Sequence, residues 1–294
     1  MIEKLGRKFV IASVVPIMVV IFCLMVGPIL YAVYVSSHYW NLTIPSSLGH
    51  FRGLGNFRDA INNPIFFTSL RVTLVFTILT VSFELIIGMC IALLLSTLGR
   101  KTENIILGLI IIPWAIPNVV NGLMWKWIFN PYYGVFNGLL NFLGLIEEYL
   151  PLLSNPLIAF GAIVNAQVWK QLPLIIFILL AGLKSIPEDI LEAATVEGAS
   201  PFREFTAIML PWLRPPLLVL LILQTMESIR TFDTIWVMTG GGPGTSTYVI
   251  SWLTYSTAFR EFDLGEGTAF SFILTLLTLV FAFIYIKFLK IQID

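Results

Sequence analysis

Six apolar stretches, each about 20 residues or longer, constrain this chain more than any other feature. A helix of roughly 20 apolar residues crosses the hydrocarbon core of a bilayer. The stretches run over about 9–34, 66–95, 105–129, 156–183, 215–238 and 268–289. A soluble fold of 294 residues, 57% of them hydrophobic and only 12% charged, could not bury so much apolar surface. The expected fold class is an all-α polytopic membrane protein with six transmembrane helices, organised as one domain over 1–294. Disorder and a disulfide-stapled scaffold are excluded on the same grounds. Seventeen basic residues balance seventeen acidic ones, so no basic field for nucleic acid exists. Cys23 and Cys90 lie in apolar runs and read as small buried hydrophobes. Two histidines, His38 and His50, are too few for a metal cluster.

Basic residues set the expected orientation. Lys4, Arg7 and Lys8 precede the first stretch, which is too long for a cleaved signal peptide and reads as a retained signal-anchor. With Arg100, Lys101, Lys184, Arg203, Arg214, Lys287 and Lys290 they fall on one side, against Arg52, Arg58, Arg71, Lys126 and Arg260 on the other. The positive-inside rule then places both termini in the cytoplasm. Trp40, Trp125, Trp127, Tyr132, Tyr133, Trp252 and Tyr255 cluster near the outer ends, where interfacial aromatics belong. The outer connections 36–64, 130–155 and 239–267 are rich in Gly, Asn and Pro.

The connection 184–211 is different in kind. Pro187 suits a first helical position, and Glu188 and Asp189 suit the positive end of a helix dipole. Gly198 is placed to stop that helix in a left-handed conformation. Ser200 and Pro201 start a second helix, which Pro211 is expected to end. The segment therefore reads as a helix–Gly–helix elbow at the inner surface. From the residues alone it is either an ordinary interfacial loop or a docking site for another protein.

Ionisable groups at membrane depth are costly and default to paired or functional roles. In the fourth stretch Gln167, Lys170, Gln171 and Leu174 share one helical arc, beside Trp169 and Pro173. Lys, Gln and Trp supply hydrogen-bond donors, acceptors and an aromatic face, and Lys170 either lines a pathway or pairs with a carboxylate. In the fifth stretch Gln224, Glu227, Arg230, Thr231 and Thr234 form a polar stripe, and Glu227 and Arg230 are spaced to pair. Phe232, Asp233 and Trp236 occupy a neighbouring arc. An ideal helix does not put both sets on one face, so either the helix is distorted or only one set faces a pathway. Glu84 reads as a buried carboxyl, with a proton relay as the alternative.

Within the elbow, Glu192-Ala193-Ala194, three residues, Gly198-Ala199 and then Leu210-Pro211 resemble the EAA loop of ABC-importer permeases. Glu197 stands where the pattern usually has Asp, which changes length but not charge. The runs 111–137, 167–194 and 230–247, together with Gly53-Leu54-Gly55-Asn56-Phe57, are similar to the carbohydrate branch of that family, of the maltose and trehalose type. The resemblance covers nearly the whole chain and implies one permease domain. It implies that Glu192, Ala193, Ala194, Glu197 and Gly198 couple the permease to an ATPase. It also places sugar contacts on Phe232, Asp233 and Trp236, with Lys170, Gln171 and Leu174 opposite. The implied partners are a second, homologous permease, two ABC ATPase subunits that carry ATP and Mg, an extracellular solute-binding protein, a di- or oligosaccharide such as trehalose or maltose, and membrane lipid. No catalytic residue, metal or cofactor is expected in this chain, since the glycines at 240–244 lack the lysine of a phosphate-binding loop and no hydrolytic motif occurs. A glycerol-phosphate permease is the alternative within the family. A proton- or sodium-coupled carrier is the alternative outside it, and a membrane enzyme using Glu84 or Glu227 as acid or base is a further one.

Overall fold

A computed structural model describes residues 2–289. Lys290 and the side chains of Lys4, Arg7 and Lys8, which contribute to the charge asymmetry, lie outside what is described. In chain order the helices are α1 (Ile2–Ile21), α2 (Gly27–Ser37), α3 (Gly55–Asn62), α4 (Phe66–Ser96), α5 (Arg100–Ile110), α6 (Ile112–Ala115), α7 (Asn118–Ile128) and α8 (Val135–Phe142). They continue with α9 (Pro156–Lys184), α10 (Glu188–Val196), α11 (Pro201–Glu204), α12 (Leu210–Trp212), α13 (Arg214–Arg230), α14 (Asp233–Met238), α15 (Ile250–Tyr255) and α16 (Leu264–Leu289). Among the described residues four helical segments are long and apolar enough to cross a membrane, and six if each of two bent pairs counts as one span.

One bent pair departs from the single span expected at 105–129, and the other bends just before the span expected at 215–238. The first turns by 97° between Ala115 and Asn118. Pro117 explains this, because proline removes a backbone donor and pushes the residue before it into extended backbone, and Ile116 has ψ 129°. The second turns by 69° around Leu213. Pro211 does not end its helix as expected. It lies one residue before the end of the helical run Pro201–Trp212, which continues through a π-helical turn at Phe205–Met209, and the chain turns two residues after it. Pro173 lies inside the continuous helix α9 and is buried. The connections expected on the outer side are not plain loops, since they carry α3, α8 and α15. Cys23 and Cys90 are exposed, contrary to the buried role expected for them. Their faces belong to the lipid-type exterior that a hydrophobic helix surface presents.

The chain divides into two compact units. The first comprises residues 1–66 and 253–272. Its centre is the buried Asn56, whose amide donates to the carbonyls of Ser36 (2.8 Å) and His38 (2.7 Å). Asn41 donates to Asp263 (3.0 Å) and Asn63 to Glu266 (2.9 Å), so three asparagines tie residues far apart in sequence. Phe66 stacks on Phe270.

The second unit comprises residues 67–252 and 273–294. Its apolar core is built from Ala92, Leu95, Ile175, Ile176, Leu179 and Leu183, joined by Leu213 and Leu220. The part of α4 inside this unit buries a polar stripe of Ser69, Thr73, Thr77, Thr80 and Glu84 at helical spacing. Thr80 shares a hydrogen bond with Ser228 of α13 (2.9 Å), and Thr73 accepts from the amide of Ile250 (2.9 Å). Glu84 is fully buried, in keeping with the reading of a buried carboxyl.

Candidate functional site

The fifth predicted span breaks within itself, and the break makes the site. Helix α13 ends at Arg230, Thr231 turns to ψ 117°, and Phe232 leads into α14. No proline or glycine marks this point. The freed carbonyl of Thr231 is taken instead by the hydroxyl of Ser251, at 2.6 Å. A partly buried carbonyl released from a helix needs such a partner. The distorted-helix alternative is therefore the one found, and the wheel of a straight helix does not apply beyond Arg230.

Helix α14 is held in place by α7 and α9. Gly122 of α7 lets the backbones meet, since a Cβ there would stand 3.2 Å from the Cα of Thr234. Lys126 donates to the carbonyl of Val237 (2.9 Å) near the C-terminal, negative end of α14. Asn121, fully buried, donates to the carbonyl of Ala166 and fixes α7 to α9.

At the break lies a polar cavity of about 150 Å³. It is lined by Asn118, Gln167, Glu227, Arg230, Asp233 and the 231–234 backbone turn. Asp233 opens α14, where a carboxylate meets the positive helix end. The amide of Asn118 stands 3.5 Å from its Oδ2, at the outer edge of hydrogen bonding. Phe232 is sandwiched between Trp236 (6.0 Å between ring centroids, nearly parallel) and Trp252 (5.7 Å). Trp252 is fully buried there and is not the interfacial aromatic expected from its place near an outer end.

Of the six residues expected to touch sugar, the cavity gathers Phe232 and Asp233. Trp236 is exposed and stacks on Phe232. Gln171 is buried, while Lys170 and Leu174 are half-buried on α9. None of these last four lines the cavity. Lys170 lies within electrostatic reach of Glu227 without forming an ion pair. Trp169 faces Trp125 edge-on at 5.8 Å. The pair expected between Glu227 and Arg230 is not formed, unlike the ion pairs Arg52–Asp59 and Lys184–Glu103. The helix ends at Arg230, and both side chains line the cavity instead. Asn118 was not singled out in the sequence. Its place directly after Pro117 is the signal that marks it as the first residue of a new helix.

The elbow has the geometry its sequence demands. Helix α10 ends in a double closure, with the amide of Ala199 bonded to the carbonyl of Ala194 and that of Gly198 to Thr195, both at 3.0 Å. Gly198 has φ +77°, as a left-handed cap requires. Ser200 accepts from the amide of Arg203 (3.4 Å) and starts α11. Pro187 is the residue before α10 and not its first. Ala194 is buried and Leu191 packs on the core, which anchors one face of α10. Glu192, Ala193, Glu197 and Gly198 are exposed, as are the large side chains of Val196 and Phe202. The end of α9 is tied to α5 on one side and to the far end of the elbow on the other. The buried carboxylate of Glu103 receives Lys184 at 2.6 Å, and the indole of Trp212 donates to Ser185 at 3.0 Å.

The apolar helices, the polar cavity at a broken span and the exposed helix–Gly–helix elbow are the parts expected of a permease. Comparison with known proteins makes this particular. The chain belongs to the family described as binding-protein-dependent transport system inner membrane components, whose model matches residues 84–292. It is 38% identical to the trehalose/maltose transport system permease protein MalF of Thermococcus litoralis, over 97% of this chain and 93% of that one. It is 34% identical to the trehalose transport system permease protein SugA of Mycobacterium tuberculosis, over 96% and 88%. With the sulfoquinovosyl glycerol transport system permease protein SmoG of Agrobacterium fabrum it shares 33%, over 97% and 91%. A chain of a bacterial ABC transporter involved in import of the acidic polysaccharide alginate has the same fold, with a TM-score of 0.84 at 20% identity over 99% of both chains. The protein is thus a multi-pass inner-membrane permease subunit of a binding-protein-dependent ABC importer, a transport subunit and not an enzyme.

Proposed function

We propose that this permease carries a sugar, a di- or oligosaccharide of the trehalose or maltose type. The observation that carries the reading is the cavity at the break of the fifth span. It offers carboxylate, amide and hydroxyl groups for sugar hydroxyls beside the aromatic faces of Phe232 and Trp236. The trehalose and maltose permeases among its relatives support the same substrate class. Asp233, Phe232 and Trp236 form one side of the sugar path, and Lys170, Gln171 and Leu174 the other. Glu227 and Asp233 set two carboxylates against the one guanidinium of Arg230 in the cavity. With Lys170 across the path and within electrostatic reach of Glu227, the two cations balance the two carboxylates, and no excess of positive charge is left for the phosphate of a glycerol phosphate. Family membership leaves no role for the carrier coupled to protons or sodium. The test is uptake of labelled trehalose by cells that depend on this permease. Unlabelled trehalose or maltose is expected to compete, and glycerol 3-phosphate is not. Competition by glycerol 3-phosphate alone would reverse the substrate assignment.

In the working assembly this chain pairs with a second, different permease, two ABC ATPases that bind ATP and Mg, and an extracellular solute-binding protein. The elbow at Glu192, Ala193, Ala194, Glu197 and Gly198 rests on an ATPase and passes its closure to the spans. This requires both termini and the elbow to be cytoplasmic. In a variant lacking Cys23 and Cys90, cysteines at Leu54 or Thr245 should react with an impermeant thiol reagent added to intact cells. Cysteines at Thr102 or Ser200 should react only after lysis. The reverse pattern would invert the orientation.

A further inference from the structure

We propose that the crevice between α4 and α9 holds a membrane phospholipid, with its phosphodiester on Arg71 and one acyl chain along the crevice walls. Two adjoining cavities, of about 700 and 380 Å³, share Leu157 and Phe160 and form this crevice. Their walls are apolar, from Phe67 and Val75 at one end to Phe83 and Ile87 at the other. At the first end the lining changes character to Arg71, Thr68, Thr245 and Ser246.

Arg71 is exposed and makes no ion pair or hydrogen bond among the described residues. A guanidinium at membrane depth without a counter-charge is costly. Arg71 lies five residues from the start of α4, near enough to an interface for its stem to lie on apolar surface while its head reaches the headgroup layer. A phosphodiester is the anion abundant at that depth, and its oxygens match the guanidinium fork. The hydroxyl of Ser246 is buried without a partner, and a phosphate oxygen would accept from it.

The length agrees. The 16 residues from Arg71 to Ile87 rise about 24 Å along a helix, more than half of the roughly 30 Å hydrocarbon core. The crevice thus follows an acyl chain from the interface past the bilayer centre. Gly161 faces this space, and a Cβ there would meet nothing within 4 Å. Gly161→Phe therefore fills the crevice without displacing the backbone.

The test uses the assembled transporter in nanodiscs of phosphatidylethanolamine and phosphatidylglycerol, with p-benzoylphenylalanine in place of the half-exposed Phe83. Illumination is expected to give an adduct of phospholipid mass on this chain. Arg71→Gln should lower its yield about five-fold, the factor for one basic residue at an anionic lipid surface. Gly161→Phe should lower it at least as much, with the complex still eluting intact. A cross-link to another polypeptide in place of lipid would overturn the proposal, because a partner helix would then fill the crevice. Lipid yield unchanged by both substitutions would overturn it as well.

Discussion

Gly198→Val should give a permease that inserts and keeps its sugar cavity but no longer couples to ATP hydrolysis. Gly198 holds φ +77°, and a side chain in that conformation costs about 1–2 kcal/mol, more when β-branched. An added Cβ meets nothing within 4 Å, so any loss must come from the backbone and not from a clash. The double closure onto Ala194 and Thr195 would open, and α10 and α11 would change their angle. Glu192 and Ala193 would then meet the ATPase in the wrong attitude. The purified complex is expected either to lose the ATPase or to keep it with sugar-stimulated hydrolysis down more than about tenfold, the equivalent of 1.4 kcal/mol. Gly198→Asn should be far milder, because asparagine tolerates the left-handed region. Coupling by the valine variant at the parent rate would remove the elbow from the transmission path.

Asp233→Ala should abolish most sugar uptake while leaving assembly intact. Asp233 is half-buried, opens α14 and has only the long contact to Asn118, so it contributes little to the fold. A hydrogen bond to a charged acceptor is worth about 1.5–3 kcal/mol, which is roughly 10- to 150-fold in affinity. Uptake should fall by about that factor. Asp233→Asn keeps an acceptor in place and should retain more. If the alanine variant takes up sugar normally, the site lies elsewhere. If it fails to assemble with its ATPases, Asp233 is a structural residue.

The elbow was legible because its instructions are local. Pro187, Gly198, Ser200 and Pro201 each impose a backbone state on themselves or the next residue, and the chain obeys all four within one position. Pro117 was equally explicit, yet an apolar count of 105–129 passes over it, because hydropathy does not register a bend. The break at Thr231 is a different case. Nothing near it in sequence stops a helix, and the hydroxyl that takes its carbonyl comes from Ser251, twenty residues away. The Glu103–Lys184 pair is also silent in sequence, since it joins positions 81 residues apart. The site was therefore half readable. Phe232 and Asp233 were marked, but their relation to Glu227 and Arg230 depends on a break that only tertiary contacts decide.

The central claim, that this chain forms the sugar path of an ATP-driven importer, is tested most directly by uptake into proteoliposomes. The vesicles would hold the permease pair and ATPases, with the solute-binding protein added outside and ATP enclosed. Trehalose or maltose should accumulate above the external concentration, and omitting either ATP or the binding protein should stop accumulation. Accumulation that persists without ATP and follows an imposed proton or sodium gradient would contradict the account.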